Sequence, residues 1–355
     1  MIVYRFSIYA CIVLGCLWPG VAQTPDGKDY RKSFIHSDST RALGIIRCKT
    51  KDGRNRQGTG FIAVPQYKDE YRLFETVVTA KHVVYDPDGQ ARQCSFTFGD
   101  HDTPITEELV LEPRVAAFGS ELRFSRMATD FAIAKIESRH AGCEGHVCSP
   151  ESPSAQRGAP RISAYQVFNL PTLDQARRLV EEGQYWDPDI INGGLLIRLQ
   201  SMQLIGNKKG RLHSASGRAD AAGNPAFDFD PNCRPIAMGP VQTNLVYHGC
   251  SGTPGSSGGI VTATYEFFTA DEQPYKTDRP FTRAWGMNLA FIYVDKDHTI
   301  RTREGRKQVP AHFQVVKMMT LLNPIEPILQ RVHCDNHKWD AVNEELEAAC
   351  QEHRG

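Results

Sequence analysis

Three short segments of this chain carry side chains that can act together in nucleophilic catalysis. In chain order they are Thr79-Ala80-Lys81-His82, Asp130-Phe131-Ala132-Ile133-Ala134 and Gly255-Ser256-Ser257-Gly258-Gly259. A serine hydroxyl is a weak nucleophile near neutral pH, so Ser257 needs a nearby base to take its proton. His82 is the candidate base, because an imidazole titrates close to neutrality. Asp130 is the candidate that orients the imidazole and stabilises its charged form.

The local sequence around each of these side chains predicts how it is positioned. His82 follows the β-branched run that ends at Ala80, and Asp130 precedes an apolar run that is typical of a strand. The glycines around Ser257 let the backbone turn tightly and bring its amides close to a substrate. A histidine by itself would mean little in a chain that has 12 of them, so the prediction depends on the three patterns together.

These segments and their order resemble those of the trypsin/chymotrypsin-like serine peptidases. The resemblance covers residues 43–325. It implies an all-β fold of two six-stranded antiparallel β-barrels, followed by a C-terminal helical extension. It also implies a serine endopeptidase that acts on polypeptides through an acyl-enzyme, with no cofactor and no metal. In that family, residues equivalent to His82, Asp130 and Ser257 are catalytic, and the amides equivalent to Gly255 and Ser257 form the oxyanion hole.

Two departures from the family's pattern favour a bacterial-type branch. Vertebrate members carry an aspartate just before the nucleophile, where it pairs with a newly cut N-terminal ammonium, whereas this chain has Ser256. Activation through such an ion pair is therefore not expected. Animal members also carry a cysteine just after the catalytic histidine, and here that residue is Val83.

The resemblance also implies a substrate pocket near the nucleophile. The pocket base in the family lies six residues before the nucleophile, which is Ser251 here, and Thr253 lies nearby. Because Ser251 is neutral, a preference for lysine or arginine in the substrate is not indicated.

The strand that pairs with the substrate backbone allows two alignments. Either Trp285-Gly286 matches the family's Trp-Gly, or Gly286-Met287-Asn288 matches the preceding segment, and we favour the second. It places Asn288 in the pocket and makes Leu289 to Phe291 the substrate-facing edge. Glutamyl endopeptidases have a histidine where this chain has Asn288 and a threonine where it has Gly252, so glutamate specificity is not predicted.

The composition agrees with a β-rich fold. The chain has 355 residues, with 29 glycines and 21 prolines that punctuate short apolar runs. Strands of the first barrel are predicted at 44–48, 60–64, 75–79, 94–98, 109–111 and 131–136. A helix is predicted at 172–180 with Thr172 as its N-cap, and the family's closing helix is expected between Val315 and Arg331.

The predicted domain organisation follows from these patterns. It comprises a signal peptide (1–22), a flexible N-terminal segment or propeptide (23–42), the first β-barrel (43–140), an inter-barrel linker (141–160), the second β-barrel with insertions (161–325) and a C-terminal helical cap (326–355). The cap has helical spacing of its apolar residues over 338–351.

The N-terminus predicts export. Arg5 precedes an apolar run, and Gly20-Val21-Ala22 provides the small residues that a signal peptidase reads. The apolar run is shorter than the roughly 20 residues of a membrane span, so no stable span is expected. A lipoprotein cleavage site at Cys16 and an uncleaved anchor are the alternatives. The protein is therefore predicted to be secreted or periplasmic.

Eight of the 10 cysteines remain after the predicted signal peptide, and an even number in an exported protein favours disulfides. Sequence alone leaves the pairing open. Pairing neighbours gives Cys48–Cys94, Cys143–Cys148, Cys233–Cys250 and Cys334–Cys350, and the resemblance supports the third of these most. A metal site at His333, Cys334 and His337 is the alternative for the C-terminal group, although it lacks a second clear ligand pair.

The charge balance limits the possible partners. The chain has 41 basic and 41 acidic residues and no basic stripe, so nucleic acid is not an expected partner. A polypeptide substrate is expected. Two alternatives stay open: a catalytically silent homologue that binds polypeptides, and an esterase on the same scaffold.

Overall fold

The structure is a computed structural model that describes residues 42–64, 74–98, 106–111, 130–137, 165–166, 170–188, 194–217, 228–240, 243–275, 281–329 and 332. Several sequence-based predictions lie outside these residues. They are the signal peptide, most of the N-terminal segment, the linker at 141–160, the pairs Cys143–Cys148 and Cys334–Cys350, the possible ligands His333, Cys334 and His337, and the helix at 338–351.

The first unit is a closed barrel of six antiparallel strands. They are β1 (Leu43–Lys49), β2 (Asn55–Val64), β3 (Phe74–Thr79), β4 (Gln93–Phe98), β5 (Thr106–Leu111) and β6 (Ala132–Glu137). The strand order is β1-β4-β5-β6-β3-β2, and pairing of β1 with β2 closes the ring. The short β7 (Tyr165–Gln166) adds a parallel edge to β2. Alternating residues such as Ile46, Phe61 and Phe96 point inward and are fully buried.

The second unit is a curled half-barrel sheet. Its strands are β8 (Gln184–Asp187), β9 (Leu195–Lys208), β10 (Arg211–Ser216), β11 (Pro235–Met238), β12 (Leu245–His248), β13 (Ile260–Phe268), β14 (Phe281–Tyr293) and β17 (Val315–Leu321). The order is β10-β9-β13-β14-β17-β12-β11, and β8 pairs with β9. A separate hairpin consists of β15 (Thr299–Thr302) and β16 (Gly305–Gln308).

The predicted all-β double-barrel class is confirmed, with one difference in the second unit. That sheet has eight strands rather than six, and no ladder between β10 and β11 closes it among the described residues. The two sheets share apolar surface, because Ile205, Met287 and Leu289 of the second sheet pack into the core of the first barrel.

Two disulfides link neighbouring segments of the chain, one in each unit. Cys48 and Cys94 face each other across β1 and β4, with their sulfurs 2.03 Å apart. Cys233 and Cys250, 17 residues apart, are joined at 2.06 Å just before the loop that carries Ser257. Each bond limits the freedom of the unfolded chain and so favours the folded state.

Helices are few. The four-residue α1 (Lys81–Val84) follows β3, and α2 (Leu173–Glu181) precedes β8. The helix predicted after Thr172 is confirmed: the Thr172 side chain accepts from the Gln175 amide, and Gln175 bonds back to the Thr172 amide. In the described part of the chain, no helix has the length and apolar character needed to cross a membrane.

The prediction of a helix that begins at Val315 is wrong over its first half. Residues 315–321 form β17, which pairs with β12 on one side and β14 on the other. The segment is rich in β-branched residues, and its central place in the sheet satisfies its backbone groups on both edges. After β17, the described helical residues are 326–329 and 332, where Ile328, Leu329 and Val332 cover the first core.

Candidate active site

The imidazole of His82 and the carboxylate of Asp130 are in direct contact. The distance from His82 Nδ1 to Asp130 Oδ2 is 2.6 Å, and the His82 backbone N–H donates to Asp130 Oδ1 at 2.9 Å. The Lys81 amide also donates to the Asp130 carbonyl, at 3.3 Å. Asp130, which lies just before β6, therefore holds α1 through both of its carboxylate oxygens. The contact at Nδ1 leaves Nε2 of the imidazole for proton exchange.

Arg92 holds α1 from the opposite side. Its guanidinium donates to the carbonyls of His82 and Val83, at 2.9 and 2.7 Å, and its Nε contacts Asp86 at 2.9 Å. The Arg92 side chain is only 4% exposed, so these bonds are shielded from water. A four-residue helix has little stability of its own, and this buried cation supplies partners for two of its carbonyls.

The loop that carries Ser257 is anchored to the first barrel by Thr59 of β2. The Thr59 hydroxyl donates to the Gly255 carbonyl at 2.9 Å and accepts from the Asn207 amide at 2.7 Å. The Thr59 amide donates to the Ser257 carbonyl at 2.8 Å. One fully buried residue thus holds the loop on both sides of Ser256 and joins it to β9.

Close contacts of two glycines bring this loop beside the His82 segment. A Cβ at Gly58 would lie 2.5 Å from the Val83 side chain and 3.2 Å from the Ser257 carbonyl oxygen. A Cβ at Gly258 would lie 2.5 Å from Thr79 Oγ1 and 3.0 Å from the Ala80 amide nitrogen. The residues that flank His82 therefore pack against those that flank Ser257.

The amides from Gly255 to Gly259 differ in whether they have a backbone acceptor among the described residues. The amides of Ser256, Gly258 and Gly259 donate to the carbonyls of Thr253, Asn288 and Ser256. Within the described residues, the amides of Gly255 and Ser257 donate to no carbonyl. These are the two N–H groups expected to face a developing oxyanion.

The two predicted pocket residues before Ser257 are held by their own contacts. The Ser251 amide donates to the buried Asp230 carboxylate at 2.7 Å. The Thr253 hydroxyl donates to the Asn207 carbonyl at 3.3 Å. Both residues lie in the segment that connects the Cys233–Cys250 disulfide to Ser257.

The three residues on β14 that were predicted to line the pocket have different environments. The buried Asn288 amide donates to the Ser256 carbonyl at 3.0 Å and to its hydroxyl at 3.2 Å. Leu289 is 1% exposed and packs in the core, so its side chain does not line a pocket and only its backbone can face a substrate. Phe291 is 43% exposed. The β13–β14 pairing runs to Met287, and the Asn288 backbone bonds to Gly258 and Gly259, so among the described residues this edge of β14 is unpaired only beyond Asn288.

The sequence analysis missed two residues at this site, Thr59 and Lys317. Lys317 lies on β17, where His248 of β12 and Phe291 of β14 are its cross-strand partners. Its signal in the sequence is a single lysine inside the apolar run Val315–Leu321. Thr59 has no comparable signal, because its partner Gly255 is 196 residues away.

Burial changes the protonation of two groups here. Burial, aided by the nearby Lys317 charge, lowers the pKa of His248 to about 3, so its imidazole is neutral. Burial also lowers the pKa of Lys317 to about 8.

Among the described residues, no three His, Cys, Asp or Glu side chains are clustered so as to hold a metal ion.

We expect Thr59→Val to weaken both the fold and the site. The substitution keeps the side-chain shape but leaves the Gly255 carbonyl and the Asn207 amide without their partner, which costs about 1–3 kcal/mol of unfolding free energy. Displacement of the loop lowers kcat/KM on the order of 10–100-fold. Denaturant unfolding and peptide hydrolysis measure the two effects.

Thr97→Val is the matched control. Thr97 is also a buried strand threonine, but its hydroxyl contacts Arg47 and Thr106, away from the loop. It should lose stability without losing activity. Equal activity in the two variants would contradict the positioning role of Thr59.

Comparisons with known proteins place several proteases among the solved structures that this chain matches. A protease from Arthrobacter nicotinovorans is 14% identical, with 80% of this chain and 91% of that chain covered and a TM-score of 0.37. A serine endoprotease from Yersinia pestis is 13% identical, with 86% and 69% covered and a TM-score of 0.37. A structure described as HL collagenase is 12% identical, with 84% and 96% covered and a TM-score of 0.40. No protein-family model matches the chain, and no curated protein matches it significantly. At these identities and TM-scores the likeness carries no argument about activity or substrate.

Proposed function

We propose that this protein is a serine endopeptidase that hydrolyses polypeptides through an acyl-enzyme. The observation that carries the proposal is the His82–Asp130 contact, at 2.6 Å, on a segment that packs against the Ser257 loop. A nucleophile, a base and an orienting acid in this arrangement perform acyl transfer. The proposal needs no cofactor and no metal.

In the proposed reaction, Ser257 Oγ attacks the carbonyl carbon of the scissile peptide bond. Its proton passes to His82 Nε2, while Asp130 accepts the hydrogen bond from Nδ1–H and stabilises the imidazolium. The C–N bond then breaks, His82 returns the proton to the leaving amine, and an ester to Ser257 remains. Water, deprotonated by His82, attacks this ester and restores the free serine.

The Gly255 and Ser257 amides supply the oxyanion hole in this proposal. The carbonyl oxygen gains negative charge when Ser257 attacks, and two donors that are fixed in advance stabilise it. One such donor contributes roughly 3–4 kcal/mol to transition-state stabilisation. Thr59 supports this geometry, since it holds the carbonyls of both Gly255 and Ser257.

The residue before the nucleophile supports a mechanism without an N-terminal ion pair. Ser256 is neutral and 6% exposed, and the Asn288 amide contacts its hydroxyl. A newly formed N-terminal ammonium would find no carboxylate at this position. The loop is held instead by neutral hydrogen bonds from Thr59 and Asn288.

Export of the protein is part of the proposal. The disulfides Cys48–Cys94 and Cys233–Cys250 are typical of oxidising compartments. Together with the N-terminal signal pattern, they support a secreted or periplasmic protein. Its partner there is a polypeptide substrate, which pairs with the exposed edge of β14.

Labelling with a fluorophosphonate probe tests the proposal. The purified full chain should form one covalent adduct, and mass spectrometry should map it to Ser257. Ser257→Ala should lose the adduct and all peptide hydrolysis with a nearly unchanged Tm. Heat-unfolded wild type, which lacks the arranged base and oxyanion donors, is the control.

The other outcomes separate the alternatives. A folded wild type that binds peptides but forms no adduct would favour the catalytically silent homologue. Labelling together with turnover of esters and not of peptides would favour the esterase. Peptide hydrolysis that persists in Ser257→Ala would overturn the assignment of the nucleophile.

A further inference from the structure

Lys317 places a positive charge beside the pocket that precedes the nucleophile. A Cβ at Gly252 would lie 3.4 Å from Lys317 Cε and 3.0 Å from Ser256 Oγ. Lys317 Nζ lies 4.6 Å from the centre of the Phe291 ring. The lysine side chain therefore extends between the loop that leads to Ser257 and the exposed edge of β14. These are the two walls expected to enclose the substrate side chain next to the cleaved bond.

This charge has no acidic partner among the described residues. The loop from Ser251 to Ser256 contains no titratable side chain, β14 offers the Phe291 ring, and β12 offers His248, which is neutral. The loop does contact the carboxylate of Asp230, which accepts from the Ser251 amide. This carboxylate forms no ion pair with Lys317. A partly buried ammonium without a counter-charge is unfavourable, and an incoming carboxylate would relieve that cost.

We propose that Lys317 forms the base of the primary specificity pocket and selects glutamate or aspartate as the residue whose carbonyl Ser257 attacks. The inference rests on the proposed function and names its substrate class. The sequence did not predict glutamate specificity, because Gly252 and Asn288 replace the residues of glutamyl endopeptidases. Here the cation comes from β17 instead.

Gly252 lets the loop pass close to Lys317. A Cβ there would lie 3.0 Å from Ser256 Oγ and 3.4 Å from Lys317 Cε, so a larger residue would push the loop and the lysine apart. A substrate carboxylate that reaches Lys317 accepts from its ammonium, and charge-assisted bonds of this kind are stronger than neutral ones. A lysine or arginine side chain would bring a like charge against Lys317 and is rejected.

The preference for acidic residues depends on pH in a defined direction. Burial lowers the pKa of Lys317 to about 8, so the ammonium is charged at pH 7 and is lost as the pH rises above 8. His248 stays neutral throughout this range. The ratio of glutamate to glutamine cleavage should therefore fall between pH 7 and pH 9, because glutamine carries no charge that responds to Lys317.

Binding of product peptides tests the inference without depending on catalysis. Two fluorescent tetrapeptides that end in Glu or in Gln, each with a free C-terminal carboxylate, are titrated against the full chain carrying Ser257→Ala. We expect the Glu peptide to bind at least tenfold more tightly at pH 7. Equal binding of the two peptides would overturn the inference even if the wild type hydrolyses peptides.

Variants of Lys317 assign this preference to its charge. Lys317→Met should abolish the difference between the Glu and Gln peptides, with a Tm no lower than that of the parent, since methionine suits a buried strand site. Lys317→Arg keeps the charge and should keep the preference. Lys296→Met removes an exposed lysine and is the matched control for net charge. A preference that survives Lys317→Met in folded protein would contradict the inference.

Turnover by the wild type separates failure of this inference from failure of the proposed function. Peptide anilides that differ only in Glu, Asp, Gln, Ala or Lys before the cut should show kcat/KM highest for the acidic residues. An active enzyme that prefers Ala or Lys would contradict the inference and leave the proposed function intact. An inactive protein that still binds the Glu peptide tenfold more tightly would support the pocket and contradict the proposed function.

Discussion

Replacing Asp130 by asparagine should lower kcat/KM for peptide hydrolysis by roughly 10⁴-fold, without unfolding the protein. The Asp130 carboxylate accepts from both the His82 ring and the His82 amide, at 2.6 and 2.9 Å. An asparagine can still accept from the amide, but its NH₂ group then faces Nδ1. The imidazole would become an acceptor at Nδ1 and carry its proton on Nε2, where it cannot take a proton from Ser257.

A neighbouring aspartate provides the control for this prediction. Asp88→Asn removes an exposed carboxylate of the same barrel that contacts only Lys51 and the local Gln90 amide, and its kcat/KM should match that of the wild type. Initial rates of peptide hydrolysis and circular dichroism of both variants make the comparison. An Asp130→Asn enzyme within tenfold of the wild type would mean that Asp130 does not set the state of His82.

The second large effect is expected from Gly258→Ala, which should lower the free energy of unfolding by about 2–5 kcal/mol. Gly258 has a φ of +82°, in the left-handed region that disfavours a Cβ. A Cβ there would also lie 2.1 Å from the Thr59 carbonyl oxygen and 2.5 Å from Thr79 Oγ1. Relief of this overlap would push the Ser257 loop away from the His82 segment, so labelling by the fluorophosphonate probe should fall as well.

Gly53→Ala separates the backbone cost expected at Gly258 from the cost of the Cβ overlap there. Gly53 has a φ of +75°, but a Cβ at that position would have no neighbour within 4 Å. Its substitution therefore carries only the backbone cost of about 1–2 kcal/mol. Chemical denaturation of both variants gives the difference that is due to packing at Gly258. An equal loss of stability in the two would show that the first barrel and the loop are not packed as closely as described.

Two features of the Ser257 loop bear on how the protein is activated. Cys250 lies just before Ser251, and the Ser256–Asn288 contact involves no charge. We therefore expect the loop to keep its shape without a new N-terminus, because hydrogen bonds within the folded chain hold it.

Local patterns in the sequence determined much of this protein. Short apolar and β-branched runs between turn residues predicted the strands of the first barrel, and the N-cap Thr172 predicted α2, because neighbours along the chain settle these features. The same local patterns singled out His82, Asp130 and Ser257 as the residues that could do chemistry. Their types and flanking residues are sufficient for that selection, whatever the rest of the fold.

Only the tertiary structure decided the features that depend on residues far apart in the chain. Val315–Leu321 is a strand because β12 and β14 lie on either side of it, and this register places Lys317 opposite His248 and Phe291. The Leu289 side chain is buried because the two sheets meet there. Thr59 holds the Ser257 loop across 196 residues of sequence. Hydrogen bonds, burial and unpaired charge depend on which distant segments come together, and no local pattern specifies that.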